Sequence, residues 1–271
     1  MSDSPLSTER REMARECLAI AREAARFVSS GFRSRPRVDE KEAHDLVTEF
    51  DRRSQDIILA RLRSAFPGVP IIAEEGSSGE VELPEGLVLT VDPIDGTTNF
   101  VHGHPFWCVA IGALEDREPV VGAVVAPCLS IAWEGARSRE GAFVERNGEP
   151  CKVSTTSRLG SAMIATGFPP DRSRAPQNNF DSFMRVKQAA RAVRRCGAAA
   201  IDLAFVADGT YDGYWERRLL LWDCAAASAL VLAGGGTITA IGGGPARYEK
   251  GHLVATNGAI HAELCAAVGP V

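Results

Sequence analysis

Ten residues restrict this chain more than any others do. Val91-Asp92-Pro93-Ile94-Asp95-Gly96-Thr97-Thr98-Asn99-Phe100 stand where an apolar, β-rich run, Leu87–Asp92, ends and a helix can begin. Strand ends are where α/β proteins commonly place ligands. Pro93 fixes one φ angle and Gly96 permits an unusual one, so the segment can turn Asp92 and Asp95 towards a shared centre instead of leaving them on opposite faces. Gly96, Thr97 and Thr98 would then present backbone N–H groups at a helix N-terminus, a ready place for a phosphate. The same D-P-x-D-G pattern is also a good turn sequence. Taken alone, turn and metal site explain it equally well.

The surrounding pattern predicts helices on a mainly antiparallel sheet, followed by an α/β half. Met13, Cys17, Ile20, Ala21, Ala24, Phe27 and Val28 recur at helical spacing with Gly31 as a stop. Residues 32–44 are charged and aperiodic and read as a loop, after which Asp51 is expected to cap a second helix running to about Phe66. Strands are predicted at Val69–Ala73, Leu87–Asp92, Trp107–Leu114, Val120–Ala126 and Ala132–Glu134. Beyond about residue 155 the expected order is strand Ala162–Ala165, helices Asn178–Ala190 and Ala198–Ala207, strand Gly213–Trp215, helix Asp223–Leu232, strands Thr237–Ile241 and His252–Thr256, and a last helix. No linker separates the halves, so residues 1–271 read as one domain with an N-terminal α+β half (about 1–155) and a C-terminal α/β half (about 156–271).

Charge and cysteine usage exclude several classes. A net charge of −5 argues against a protein that grips nucleic acid or an anionic membrane through its overall field. The seven cysteines are scattered without a C-x-x-C pair, so reduced thiols in the cytoplasm are the expected state. No apolar h-region opens the chain, and no run of about 18 apolar residues follows it.

Two further acids fall at element ends. Glu74-Glu75-Gly76 follows the apolar run Val69–Ala73, and Asp223 begins a helix in the apolar segment Leu219–Ala227. Taken separately, a solvated turn explains the first, and a helix N-cap the second, better than a metal ligand does. Their combination with Asp92 and Asp95 points to hard oxygen donors for Mg²⁺ or Mn²⁺ and to phosphoryl chemistry. His102 and His104 form H-x-H, but Pro105 and Phe106 beside them read as a packed turn.

Asp45-Leu46-Val47-Thr48 with Asp51, then Glu74-Glu75, then Asp92 to His102, then Trp222-Asp223, resemble the inositol monophosphatase family in order and spacing from about residue 10 to 265. The runs Ala165-Thr166-Gly167-Phe168-Pro169, Arg194-Arg195-Cys196-Gly197-Ala198-Ala199-Ala200 and Ala255-Thr256-Asn257-Gly258 look like its bacterial members. The resemblance implies a layered α-β-α-β-α sandwich of the sugar-phosphatase type, two or three Mg²⁺ ions per site with Mn²⁺ as a substitute, lithium sensitivity and a homodimer. By the same resemblance Glu74, Asp92 and the Ile94 carbonyl would hold a first metal, and Asp92, Asp95 and Asp223 a second. Glu74 would also help with a weaker third ion. Thr97, oriented by Asp51, would hydrogen-bond the attacking water, making Thr97, Asp51 and Glu74 the catalytic set. The Gly96 and Thr97 amides would hold phosphate, while Gly197, Ala198, Ala199 and Glu216 would contact a polyol. Close helix packing explains the small-residue run equally well, and a solvated strand-end acid explains Glu216.

The implied activity is hydrolysis of a small phosphate monoester such as inositol 1-phosphate, without a phosphoenzyme. Histidinol phosphate and fructose 1,6-bisphosphate are the alternative substrates, and an RNA- or transcription-associated binding protein is the non-enzymatic alternative. Three positions depart from the pattern. Arg218 stands where members usually have glycine, so Arg217-Arg218 beside Glu216 would narrow the pocket or attract a second anionic group. Ala227 replaces a common glycine, and Lys41 stands at an uncertain offset from the lysine expected before Asp45, so it receives no catalytic role.

Overall fold

The structure, a computed structural model, describes residues 8–34, 36–42, 45–77, 81–173 and 177–270. Helix α1 (Thr8–Gly31) buries Ala14, Cys17, Ala21, Ala24 and Val28, which recur every three or four residues along one face. At Gly31 the Phe50 ring fills the space in which a Cβ would stand, so this glycine lets α1 meet the next helix. The stretch expected as a loop contains β1 (Val38–Glu42), antiparallel to β2 (Asp45–Thr48). Its charged sequence hides it, and cross-strand pairing with β2 makes it a strand. Helix α2 (Glu49–Ala65) is capped by Thr48 and not by Asp51. Thr48 Oγ1 accepts the Phe50 N–H at 3.0 Å, and Asp51, the third helical residue, accepts the Thr48 N–H at 2.7 Å. The Lys41 side chain and His44 lie outside the described residues.

Strands β3 (Ile71–Ala73), β4 (Leu87–Asp95), β5 (Cys108–Glu115), β6 (Glu118–Ala126), β7 (Ile131–Arg137), β8 (Ala142–Arg146) and β9 (Glu149–Pro150) form one sheet in that order, with the short helix α3 (Thr97–Val101) between β4 and β5. Only β3 and β4 run parallel. A second sheet has the order β11-β10-β12-β14-β13, from β10 (Met163–Thr166), β11 (Ala192–Arg194), β12 (Gly213–Glu216), β13 (Thr237–Ala240) and β14 (Leu253–Thr256). Its helices are α4 (Phe180–Ala189), α5 (Ala199–Ala207), α6 (Leu221–Ala233) and α7 (His261–Val268). The β11-β10-β12 strands are parallel, whereas β12-β14-β13 are antiparallel, so this half is mixed.

Strand alternation sorts the layers. On β5, Val109, Ile111 and Ala113 pack with α1 and α2, while Cys108, Ala110 and Leu114 join the core formed with α5 and α6. That same core takes Ala165, Tyr214 and Ala255 from the second sheet, whose Ile164, Trp215 and Val254 pack instead with α4 and α7. The result is the expected α-β-α-β-α sandwich.

A row of glycines lets α6 lie directly on the first sheet. Gly112, Gly122 and Gly135 are register partners across β5, β6 and β7. A Cβ on Gly112 would stand 2.8 Å from the Ala226 nitrogen, and one on Gly122 would overlap the Ala226 carbonyl oxygen. With Ala225, Ala226 and Ala227 all buried, the extra methyl at Ala227 is accommodated. This close approach brings the N-terminal end of α6 towards the end of β4.

Candidate active site

The end of β4 is bulged. Asp92 pairs with Ala110 and Asp95 with Cys108, so β4 advances three residues while β5 advances two. In a regular strand these two acids would point to opposite faces; the extra residue puts them on the same one. Gly96 follows at φ +91°, in the left-handed region, with the Gly197 carbonyl oxygen and the Ala198 Cβ crowding the place of a side chain.

Backbone amides anchor each of these carboxylates. Asp92 Oδ1 accepts the Ile94 N–H at 3.1 Å. Asp95 accepts the Ala199 N–H at 3.2 Å and the Ala200 N–H at 2.7 Å, at the start of α5. Asp223, the third residue of α6, accepts the Leu220 N–H at 2.8 Å. Asp223 therefore does act in capping, and the same carboxyl lines the cavity.

The carboxylates burden one another. Burial, then Glu74, Asp95 and Asp223, raise Asp92 well above the usual carboxylate range. Burial, then Asp95 and Glu74, do the same to Asp223. Burial pushes Asp95 up to about 6 against the pull of its amide donors. A cluster of this kind calls for protons or for cations.

Asp51 is buried behind the cluster, and burial raises it too. Thr97 Oγ1 lies 2.9 Å from both Asp51 Oδ1 and the Ile94 carbonyl oxygen, so its single proton serves one acceptor at a time. Asn99 ties α3 to the segment before α5, donating to the Phe106 carbonyl at 2.6 Å and the Cys196 carbonyl at 2.9 Å.

Glu74, Asp92, Ile94, Asp95, Gly96, Thr97, Gly197 and Asp223 line one cavity of about 550 Å³. Among the described residues, no three His, Cys, Asp or Glu side chains are drawn together tightly enough to enclose an ion by themselves. The remaining expected residues do not line this cavity. Asp51 reaches it only through Thr97, the Ala198 Cβ lies against Gly96, and the Ala199 amide is taken by Asp95. Glu216 is buried, accepts the Tyr214 hydroxyl, and is pushed up to about 7 by burial against that hydrogen bond and Arg195.

Arg217 and Arg218 stand elsewhere than expected. Arg217 follows Glu216 on the alternate face and donates to the Pro270 carbonyl at 2.8 Å and to Ser182 Oγ at 3.2 Å. Arg218, at φ +63°, pairs with Asp171 at 2.5 Å. The basic groups lining the cavity are Arg172 and Arg195, to which the residue pattern assigned no role, although Arg195 lies two positions before Gly197. His102 and Leu46 also line it.

The model of the inositol monophosphatase family matches residues 9–270. The chain belongs to that family. It is 42% identical to an inositol-1-monophosphatase of Synechocystis sp. over 83% of this chain and 77% of the relative. It is 37% identical to the Nus factor SuhB of Pseudomonas aeruginosa over 89% of each. The solved inositol monophosphatase of Anabaena (Nostoc) sp. superposes with a TM-score of 0.84 and 35% identity over 96% of both chains. As an inositol monophosphatase family member the chain is a phosphatase, a phosphoric monoester hydrolase. Among the described residues, no helix is long and apolar enough to cross a membrane.

Proposed function

We propose that this phosphatase acts on a small phosphorylated polyol of the inositol 1-phosphate kind, in a Mg²⁺-dependent hydrolysis that forms no phosphoenzyme. The observation that carries this reading is the β4 bulge, which turns Asp92 and Asp95 to one face and into a cavity shared with Glu74, Asp223 and Thr97. The donor set fits: it is made of hard oxygens, and its buried carboxyls repel one another. Glu74, Asp92, the Ile94 carbonyl, Asp95 and Asp223 would hold two ions, with Glu74 helping a third, or Mn²⁺ in their place. Mg²⁺ keeps several waters and takes one or two carboxylates, so it does not need a closed cage. Bound there, it would supply charge neutralisation for phosphate oxygens and acidify water.

The chain's own residues do the rest. Thr97 Oγ1 gives its proton to Asp51 Oδ1 and offers a lone pair to a water proton, which orients that water's oxygen towards phosphorus. The Gly96 and Thr97 amides hold the phosphate oxygens. Water adds to phosphorus, the ester P–O bond breaks, and the alcohol leaves with a proton. Gly197 shapes the polyol end of the cavity, with Ala198, Ala199 and Glu216 standing behind its lining. The same reading makes the protein a cytoplasmic homodimer, inhibited by lithium.

Phosphate release from inositol 1-phosphate and histidinol phosphate, each with Mg²⁺ and with EDTA, tests this. Metal-dependent turnover with higher kcat/KM on inositol 1-phosphate is expected. Turnover indifferent to EDTA, or none from folded protein, would overturn it. The similarity to a Nus factor favours a second reading, in which the chain also serves RNA or transcription machinery as a binding protein. A cellular phenotype that survives Asp95→Asn while phosphatase activity is lost would establish that role.

A further inference from the structure

The second sheet carries a pocket on its α4–α7 side that the hydrolysis does not use. Asn178, Asp181 and Ser182 at the start of α4, Arg185 one turn further on, Arg217 just past β12 and Pro270 beyond α7 are among the residues that enclose about 440 Å³. It shares no lining residue with the catalytic cavity.

Two guanidinium groups meet there on one hydroxyl. Arg217, only 5% exposed, donates from Nη2 to the Pro270 carbonyl at 2.8 Å and to Ser182 Oγ at 3.2 Å. Arg185 donates from Nε to the Ala267 carbonyl at 2.9 Å, and from Nη2 to the Val268 carbonyl and to Ser182 Oγ at 3.3 Å. Ser182 Oγ spends its own proton on the Val268 carbonyl at 2.7 Å, which leaves its lone pairs for the two arginines. All of these acceptors are neutral. Among the described residues no carboxylate pairs with either arginine, and Nη1 of both, together with Nε of Arg217, has no acceptor. Asp181 is the one acid of the lining, and it lies exposed to water. Burial, then the Arg185 charge, pull Arg217 below its ordinary value. Holding the end of α7 against α4 accounts for the carbonyl bonds, but it needs one arginine and not two like charges side by side.

The start of α4 adds donors of the same kind. The N–H groups of Phe180, Asp181 and Ser182 have no acceptor within the helix, and Asn178 Oδ1 takes that of Phe180 at 3.2 Å. The residues that carry the other two line the pocket. A helix N-terminus beside a buried, half-used guanidinium suits an oxyanion.

We propose that this pocket is an oxyanion site separate from the catalytic cavity, which takes a phosphate group on Arg185, Arg217 and the start of α4. Inorganic phosphate, the product of a phosphatase, and the phosphate end of a larger metabolite are the two sources of that group. The site does not depend on which monoester the enzyme hydrolyses.

Calorimetric titration in EDTA tests it, since no catalytic cation is then present to recruit phosphate. Inorganic phosphate and glycerol 2-phosphate are titrated into wild type, Arg217→Gln, Arg185→Gln and, as a control in the catalytic cavity, Thr97→Ala. Wild type should bind phosphate with a Kd of about 1 mM or tighter. Each arginine variant should bind about tenfold more weakly or worse, and Thr97→Ala as tightly as wild type. Arg185 is exposed, so its variant keeps the test decisive if Arg217→Gln does not fold. Tighter binding of inorganic phosphate would identify the free ion as the occupant, and tighter binding of the ester a phosphorylated metabolite. Crystals soaked in selenate should show an anomalous peak beside Arg185 and Arg217. No binding of either probe by about 10 mM, or binding that survives Arg185→Gln and is lost with Thr97→Ala, would overturn the site. Metal-dependent phosphate release is measured separately, so the phosphatase reading stands or falls without it.

Discussion

Within one cavity the acidic and basic parts are held by different means. Asp92, Asp95 and Asp223 are buried and accept hydrogen bonds from amides at a strand bulge and at the first turns of α5 and α6. Arg172 and Arg195 stand on irregular chain beside the second sheet, where Arg172 donates to the Pro170 carbonyl at 3.3 Å, Arg195 lies over Gly197, and Asp171 pairs with Arg218. The difference teaches how one cavity is built from two kinds of support: groups that must converge are fixed by the packed middle layer, while the two guanidinium groups sit on segments that can vary without disturbing it.

The largest effect should come from breaking the acidic part. Asp95→Asn keeps the shape but removes the charge and leaves one acceptor oxygen where the Ala199 and Ala200 amides now meet two. Mg²⁺-dependent phosphate release should fall about 10³-fold or more while the protein stays folded. A loss below tenfold would detach Asp95 from the chemistry.

Glu216 is buried within electrostatic reach of Asp95 and Arg195, and its titration sharpens the contrast. Its carboxyl is raised from 4.5 to about 7, chiefly by burial, so ionising it weighs on the folded state. The associated stability is fully present below about pH 4.5 and is lost as pH rises through about 7, amounting to up to about 3 kcal/mol. Glu216→Gln should therefore melt at a progressively higher temperature than wild type from pH 5 to pH 8. Parallel melting curves across that range would contradict the burial argument.

A smaller effect tests the support beneath Asp223. Gly122→Ala places a methyl against the Ala226 carbonyl, and lifting α6 should cost about 1–3 kcal/mol in chemical denaturation. An unchanged midpoint would mean that α6 does not rest on the glycine row. The smallest effect is expected at Arg218. Arg218→Gly removes an exposed ion pair but relieves a non-glycine residue at φ +63°, so stability should move by no more than about 1 kcal/mol. A large loss would make the tether part of the core.

Local chemistry made the acidic part legible. Pro93 and Gly96 announce a break in β4, and the bulge follows from the same few residues. Helices α1 and α6 were legible because their apolar spacing or alanine content is strong. What depended on pairing was not: β1 is nearly all charged, and β8, β9 and β11 are short strands with few fully buried residues. Thr48 looked incidental beside Asp51, since a capping box is shared and its two members exchange hydrogen bonds. The basic part was illegible for a different reason. Arg217 adjoins Glu216 in sequence, yet alternation sends it to Ser182 and Pro270, whereas Arg172 lines the cavity from a loop whose Asp171 pairs with Arg218, 47 positions along the chain.

A cation site built by the β4 bulge must take up metal in the absence of substrate. Calorimetric titration of metal-free protein with Mn²⁺, for wild type and for Asp92→Asn, tests it most directly. The account predicts at least two ions per wild-type chain and the loss of at least one with Asp92→Asn, whose carboxyl stands at the centre of the cluster. Wild type that binds no Mn²⁺, or a variant that binds it with unchanged stoichiometry and affinity, would contradict the account.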